Sequence, residues 1–376
     1  MFEGIVNLFR EIPDPRKGNA ISYDLAEVLT IAVLAIICGA EWFTQMETFG
    51  REKREWLSTF LELKNGIPSH DTFGDVFAAL SAEAVVQVFA SWVETIRTKI
   101  SGEVVAIDGK TVRGSKDIPK NKRAVHVVGA WATQNRLVLG QTATSEKSNE
   151  ITAIPALLNL LEIKGCIITI DAMGTQTKIA ETIAEKGADY ILTVKENQPQ
   201  LHANIKKYFD GIGPSYLEQA ETQEKGHGRI ELRSLAVSRD ISGIDPENKW
   251  ENLSGIGMLN SLTENLSTGK IETSTQYIIF SMPNLSAEQI LSAKRSHWAV
   301  ENNLHWTLDV AYNEDNCRAR IGNAAIVLNV FRHISLNLIN HEKTSKGGVK
   351  SKQFRCALST NYLEKVIGFS QAIALM

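Results

Sequence analysis

Apolar residues recur with a helical period through roughly the first hundred positions, and a strand-like rhythm begins only after Glu103. Ile12-Pro-Asp-Pro-Arg16 reads as a turn, because each proline restricts the residue before it. Leu25 to Cys38 is a buried helix that Gly39 ends. Asn65-Gly-Ile-Pro-Ser-His-Asp71 is a loop, with Ser69 or Asp71 capping a helix through Phe73, Val76, Phe77 and Leu80. A last helix covers Ala82 to Arg97. Then Val104-Val-Ala-Ile107 forms a short buried strand ending at Asp108. Ala124 to Trp131 and the run from Leu137 are two more strands, joined by the polar turn Gln134-Asn-Arg136. A helix over Ile151 to Leu161 is followed by a buried strand, Cys166 to Ile170, ending at Asp171. Thr175 to Glu185 is a helix stopped by Gly187, and Asp189 to Lys195 is a further strand. This order predicts an α/β core around a mixed sheet with flanking helices.

Between residue 225 and about residue 283 the pattern alternates again, as in Arg229 to Leu235 and Thr275 to Phe280, which predicts a β-rich insertion. Ser286 and Gln289 form a capping box that opens a helix running through Glu301 to Val310. Its apolar positions Ile290, Ala293, Val300, Leu304 and Leu308 mark one packed face, with Trp298 and Trp306 expected in the core. Glu301 lies beside Val300 and one turn from Leu304, so it is expected close to or on that buried side. A carboxylate there needs a partner, a proton or a metal ion. Another apolar helix, Ala324 to Ile339, is followed by a basic linker, Lys343 to Lys352, and one short helix. The predicted domains are a helical amino-terminal domain over 1–98, an α/β domain over 99–342 containing the insertion, and a basic tail over 343–376.

Composition narrows the class. With 376 residues, 43% of them hydrophobic and 22% charged, the chain has the make-up of an ordinary soluble protein. Cys38, Cys166, Cys317 and Cys356 form no CxxC pair, which argues against a thiolate metal site and fits a reducing cytoplasm. The longest apolar run, Leu29 to Ala40, is too short to span a bilayer, and no cleavable signal opens the chain. A cytoplasmic protein with no membrane partner is expected. The net charge of −3 speaks against a uniformly basic nucleic-acid binder. Yet Lys110, Arg113, Lys116, Lys120, Lys122 and Arg123 cluster against the single acid Asp117, and Lys343, Lys346, Lys350, Lys352 and Arg355 form a second patch. Either patch is suited to phosphate contacts or to a solvated surface.

The chemistry rests on carboxylates. Two buried strands each end in an aspartate followed by a small residue, Ile107-Asp108-Gly109 and Ile170-Asp171-Ala172. Either alone reads equally well as a turn or capping residue. With Glu301 there are three acids at element-specific positions. Oxygen ligands without thiolate suit Mg2+ or Mn2+ rather than zinc. Three carboxylates can hold two such ions for in-line phosphoryl transfer on nucleic acid.

The residues that carry a resemblance span almost the whole chain. They are Ile12-Pro-Asp-Pro-Arg16, Gly66-Ile-Pro-Ser-His-Asp-Thr-Phe73, Ala106-Ile-Asp-Gly-Lys-Thr111, Glu146 through Pro155, and Thr169-Ile-Asp-Ala-Met173. Lys195-Glu-Asn-Gln198, Gly226-His-Gly-Arg-Ile-Glu231 and Arg295-Ser-His-Trp-Ala-Val-Glu-Asn302, running into Leu304 to Val310, follow in order. In these the chain resembles the H-repeat-associated family of bacterial insertion-sequence transposases, of the DDE class. The resemblance implies an RNase H-like catalytic core, with Asp108, Asp171 and Glu301 as the DDE triad and metal ligands. It implies double-stranded DNA as partner, both terminal inverted repeats and target, and at least a dimer when two ends are paired. The wider group often carries a Tyr, Arg and Lys signature around the glutamate. Here those positions hold Lys294, His297 and Leu308, and Asp75 stands where a basic residue is expected.

Lys110, Arg113, His227, Arg229, Arg295 and His297 are the candidate DNA contacts. Asn197 and Gln198 start a helix, either capping it or presenting its amino end to the DNA backbone. His297 and His305 flank Glu301 at i−4 and i+4; they contact DNA, orient the acid or, as a conceivable alternative, complete a zinc site with it. The reading favoured by the sequence is a metal-dependent transposase that cuts element ends and joins them to target DNA. Its rivals are a catalytically silent DNA-binding remnant and a metal nuclease without strand transfer.

Overall fold

The computed structural model describes residues 3–18, 21–144, 150–213, 216–226 and 228–372. The chain begins with helices α1 (Glu3–Arg10), α2 (Leu25–Ile37), α3 (Phe43–Glu52), α4 (Arg54–Leu57), α5 (His70–Ala79) and α6 (Ala82–Ile96). Strands β1 (Val104–Val112), β2 (Val125–Ala132) and β3 (Leu137–Thr144) follow, then α7 (Glu150–Leu160), β4 (Ile167–Ile170), α8 (Thr177–Glu185), β5 (Asp189–Val194) and α9 (Pro199–Gly211). Next come β6 (Glu218–Gly226), β7 (Arg229–Ser238), β8 (Gly255–Asn265) and β9 (Ile271–Phe280). Helices α10 (Ala287–His297), α11 (Trp306–Ala311), α12 (Ala324–His341), α13 (Val349–Leu358) and α14 (Thr360–Ala372) complete it, with a π-helical turn, Val300–His305, between α10 and α11.

Residues divide into two compact units, one built from 1–99, 109–149 and 301–376, the other from 100–108 and 150–300. In the first, α2 and α12 are buried almost all round, as befits helices without a polar face. Phe331 of α12 stacks on Phe9 at 5.2 Å and meets Phe77 at 4.9 Å between ring centroids. Ser69 caps α5 by accepting the Thr72 N–H, and Ser81 caps α6 through Ala84. The hairpin β2–β3 lies beside the end of β1, where Thr111 Oγ1 and His126 Nδ1 are 2.9 Å apart. Asn337 of α12 is buried yet satisfied: its amide donates to Val138 O at 2.9 Å and accepts from Val138 N at 2.8 Å, serving β3 as a strand neighbour would.

Two histidines in this unit are held neutral. His333 is 2% exposed, and neither ring nitrogen has a hydrogen-bond partner among the described residues. Burial pushes its pKa down to about 3, and burial with the nearby Lys110 and His126 pushes His305 down to about 4. Both folded values lie below the unfolded one, so the unfolded chain takes up these protons first. Their contribution is therefore fully present above about pH 6.5 and is lost as pH falls towards 4 and below, by about 1.4 kcal/mol per pH unit for each ring. Urea midpoints should drop between pH 7 and pH 5, and His333→Leu should flatten the slope. An unchanged slope in that variant would show that the ring takes up its proton while folded.

In the second unit the sheet order runs from the start of β1 through β4, β5, β9, β8 and β7 to β6. β1, β4 and β5 are parallel, in register from Val104↔Ile167 to Ile107↔Ile170 and from Ile167↔Asp189 to Ile170↔Leu192. β5 and β9 are antiparallel, as are the remaining pairs. The expected insertion is thus a continuation of the same sheet: β9 pairs with β5 from Ile191↔Phe280 to Val194↔Tyr277. It also begins earlier, at Glu218. Ala287, Ile290 and Leu291 of α10 close its core against Leu235, Leu259, Ile278 and Phe280. The box at Ser286 and Gln289 is present, with bonds of 2.9 and 3.3 Å.

Two further expectations change. The single helix through Val310 is broken into α10, the π-helical turn and α11. The tail holds two helices, because Lys352 is buried and donates to Ile339 O at 3.1 Å instead of marking a solvated linker. No single described helix is long and apolar enough to cross a membrane.

Candidate active site

The parallel register of β1 and β4 decides the placement of the two aspartates. Ile107 faces Ile170, so Asp108 and Asp171 are the next residues on adjacent strands, on the same face and about 5 Å apart at the backbone. Asp108 is half-buried and Asp171 exposed. Asp171 Oδ1 accepts the N–H groups of Met173, at 3.0 Å, and Gly174, at 3.3 Å. Both bonds fall on one oxygen. Gly174 is required for this tight turn: a Cβ there would stand 2.3 Å from Ile170 Cγ2.

The loop after β5 braces the turn. Asn197 Nδ2 donates to Ala172 O at 2.7 Å, and Gln198 Nε2 donates to Thr175 O at 2.9 Å. The Gln198 side chain makes no capping bond to α9. Beside Asp171 an open groove is lined by Gln176, Lys195, Asn197, His202 and Thr275.

Beneath the strand ends lies α10. His297, 6% exposed, places Nδ1 3.0 Å from Thr169 Oγ1 on β4. A side chain so enclosed offers almost no surface to DNA, against the expectation of a DNA contact at His297. One turn earlier Lys294, also 6% exposed, donates to Thr193 Oγ1 on β5 at 2.6 Å. Burial lowers its pKa to about 8, opposed by the charge of Asp171 and assisted by that of Lys195.

Glu301 is exposed, not on the packed side, while Val300 and Leu304 take the buried positions at 0% and 1% exposure. The wider winding of a π-helical turn accounts for this: bonding from i to i+5 shifts the i±4 alignment of an α-helix. The same change removes the basis of a His297–Glu301–His305 zinc set. Among the described residues no three His, Cys, Asp or Glu side chains are gathered so as to hold a metal ion. Trp298 and Trp306 are 38% and 61% exposed, against the expectation of a core, and the Arg233 guanidinium lies 4.9 Å over the Trp298 ring.

The candidate DNA contacts fare unequally. The Lys110 ammonium meets Asp309 at 2.5 Å, Asp315 at 3.7 Å and Glu314 at 3.8 Å, so a phosphate would have to compete with three carboxylates. Arg113 is largely exposed, with Asp315 3.5 Å away. Arg229, at the β6–β7 end, pairs with Glu231 at 2.6 Å and stays half-exposed. Arg295 pairs with Glu224. His227, and residues 146–149 of the motif that ends at Pro155, lie outside the described residues.

Comparison with known proteins places these features. Residues 6–93 match the model described as DDE_Tnp_1-associated, and residues 100–338 match the Transposase DDE domain. The chain belongs to the DDE transposase family. It is 40% identical over 369 residues to "Putative transposase YncI" of Escherichia coli O157:H7, covering 97% of this chain and 94% of that protein. It is 39% identical over 366 residues to "H repeat-associated putative transposase YhhI" of Escherichia coli (strain K12), covering 96% of each. The H-repeat-associated resemblance and the RNase H-like α/β fold of this transposase are thereby established. A solved piggyBac transposase synaptic complex with hairpin DNA aligns over 96% of this chain and 77% of its own, with a TM-score of 0.46 and 10% identity, too weak a likeness to argue from.

Sequence reasoning did not single out Lys294, Thr193 or Thr175 for the surroundings of Asp171. One signal was available: a lysine one residue after Ala293, inside an otherwise apolar helical face, is a charge that needs an internal partner.

Proposed function

We propose that this transposase cuts DNA at the ends of an insertion element and joins the freed ends to target DNA, using Asp108, Asp171 and Glu301. The observation that supports the reading is the Ile107↔Ile170 register, which makes Asp108, within β1, and Asp171, just past the end of β4, backbone neighbours on adjacent parallel strands. Asp171 is held by backbone N–H groups on one oxygen, so its carboxylate is oriented before any ligand arrives. Glu301, on an exposed turn, is the third acid of the proposal.

The donor chemistry suits a hard divalent cation, while among the described residues the three acids are not gathered into a metal-binding group. The set offers carboxylate oxygen and no thiolate, which suits Mg2+ or Mn2+. Asp108, Asp171 and Glu301 would hold it, and such an ion supplies Lewis-acid stabilisation of the charge that develops on the reacting phosphate. In the first reaction water opens the phosphodiester at the element end and leaves a 3′-hydroxyl. In the second that hydroxyl attacks a target phosphodiester. The exposed Arg113 and Arg229 are the proposed contacts to DNA phosphate, and such contacts weaken as salt rises. Pairing two ends calls for at least two copies of the chain.

The test is an assay of purified protein on a plasmid carrying the matched terminal repeats, with Mg2+ or Mn2+. Cleaved ends together with joined products are expected. Cleaved ends alone would identify a nuclease without strand transfer, and DNA binding without cutting would identify a silent remnant.

A further inference from the structure

Lys294 is the least economical side chain in the second unit. It is 6% exposed, and among the described residues its only hydrogen-bond partner is the neutral hydroxyl of Thr193. Lysines are almost never buried without a paired acid, because desolvating an ammonium costs several kcal/mol. The register explains what faces it. Ile170 pairs with Leu192, so Thr193 is the β5 position beside Asp171, and the Lys294 ammonium is bonded to that position. Asp171 is the charge that favours the protonated amine, while Lys195 opposes it. His297, one turn on, makes the equivalent contact to Thr169 through Nδ1, so a strand threonine hydroxyl is the partner at both positions.

We propose that Lys294 is an internal counter-cation for Asp171, tempering the pull of the aspartate pair on a divalent cation. The proposal rests on the reading of Asp171 as a metal ligand. A fixed positive charge behind that carboxylate repels an incoming divalent ion through the low-dielectric interior, where screening by salt is weak. The cation then stays exchangeable instead of being trapped. Lys294 touches neither substrate nor ion in this scheme; it acts through Asp171.

The experiment is a Mn2+ titration of the full chain at pH 7 without DNA, followed by calorimetry or water-proton relaxation, with thermal melting measured alongside. Lys294→Met should bind Mn2+ roughly tenfold more tightly and melt at a higher temperature, since a buried unpaired charge is removed. Lys294→Gln, which keeps a donor to Thr193, should tighten binding in the same direction. Lys294→Arg should match the wild type within about twofold, and Asp171→Asn should lose binding. Unchanged or weaker affinity in both neutral variants, with binding still lost in Asp171→Asn, would overturn the counter-cation and leave the metal-ligand reading standing. Wild-type affinity in Asp171→Asn would overturn that reading and the inference with it. Failure of both neutral variants to fold would make the ammonium structural and equally overturn the proposal.

Discussion

Asp171→Asn is expected to lower strand cleavage by roughly a thousandfold or more while leaving the melting temperature within a degree or two. The substitution is chosen for what it keeps. The asparagine Oδ1 still accepts the Met173 and Gly174 N–H groups, so the turn after β4 survives. What disappears is the negative charge of the carboxylate, and with it the attraction for a cation. Asp108→Asn should behave alike, because the register sets it on β1 beside Asp171; β1 itself continues past it to Val112, beyond the end expected from the sequence. Glu301→Gln should cost almost nothing in stability, since the side chain is exposed, yet abolish cutting. A radiolabelled or fluorescent end-cleavage assay separates these effects from binding when run beside a DNA-shift assay. Wild-type cutting by any one of the three variants would remove that acid from the triad.

Much of this site was legible in the sequence, and the part that was not has physical causes. The two aspartates could be found because buried parallel strands are continuous apolar runs, and a charge at the end of such a run stands out. Their neighbourhood could not be read, since register is a property of strand pairing and not of either strand alone. The same non-locality hid the pairing of β5 with β9, more than seventy residues later, and made four strands of one sheet look like an interruption. At Glu301 the difficulty was different. Val300 and Leu304 are four apart, a spacing that an α-helix and a short π-helical turn both satisfy. Six residues are too few for periodicity to tell the two windings apart, and the exposure of Glu301 depends on that winding. The buried polar residues of α12 were hidden for a third reason: the 18-residue run reads as apolar overall. Only the fold reveals that Asn337 meets the edge of β3 and Arg332 meets an acid.

That acid is the other place where a single change should have a large effect. Glu314→Ala is expected to destabilise the protein by about 3–5 kcal/mol, the range for removing one partner from a buried ion pair. Glu314 is 0% exposed; its Oε1 accepts from Asn329 at 2.7 Å and faces the Arg332 guanidinium at 3.4 Å. Arg332 is itself 3% exposed, and its Nη2 has no hydrogen-bond partner among the described residues, so deleting the acid leaves a buried cation poorly compensated. Lys110 is affected far less, because Asp309 and Asp315 still face its ammonium. The contrast supplies the control. Asp309→Ala removes the shorter contact, 2.5 Å against 3.8 Å, yet from a more exposed carboxylate, and should cost no more than about 1 kcal/mol. Urea unfolding of both variants checks the order. The double change Glu314→Met with Arg332→Met should recover much of the loss, because a buried pair replaced by apolar groups leaves no charge uncompensated. If Glu314→Ala and Asp309→Ala destabilise equally, distance and not burial governs this cluster, and the account of Arg332 fails.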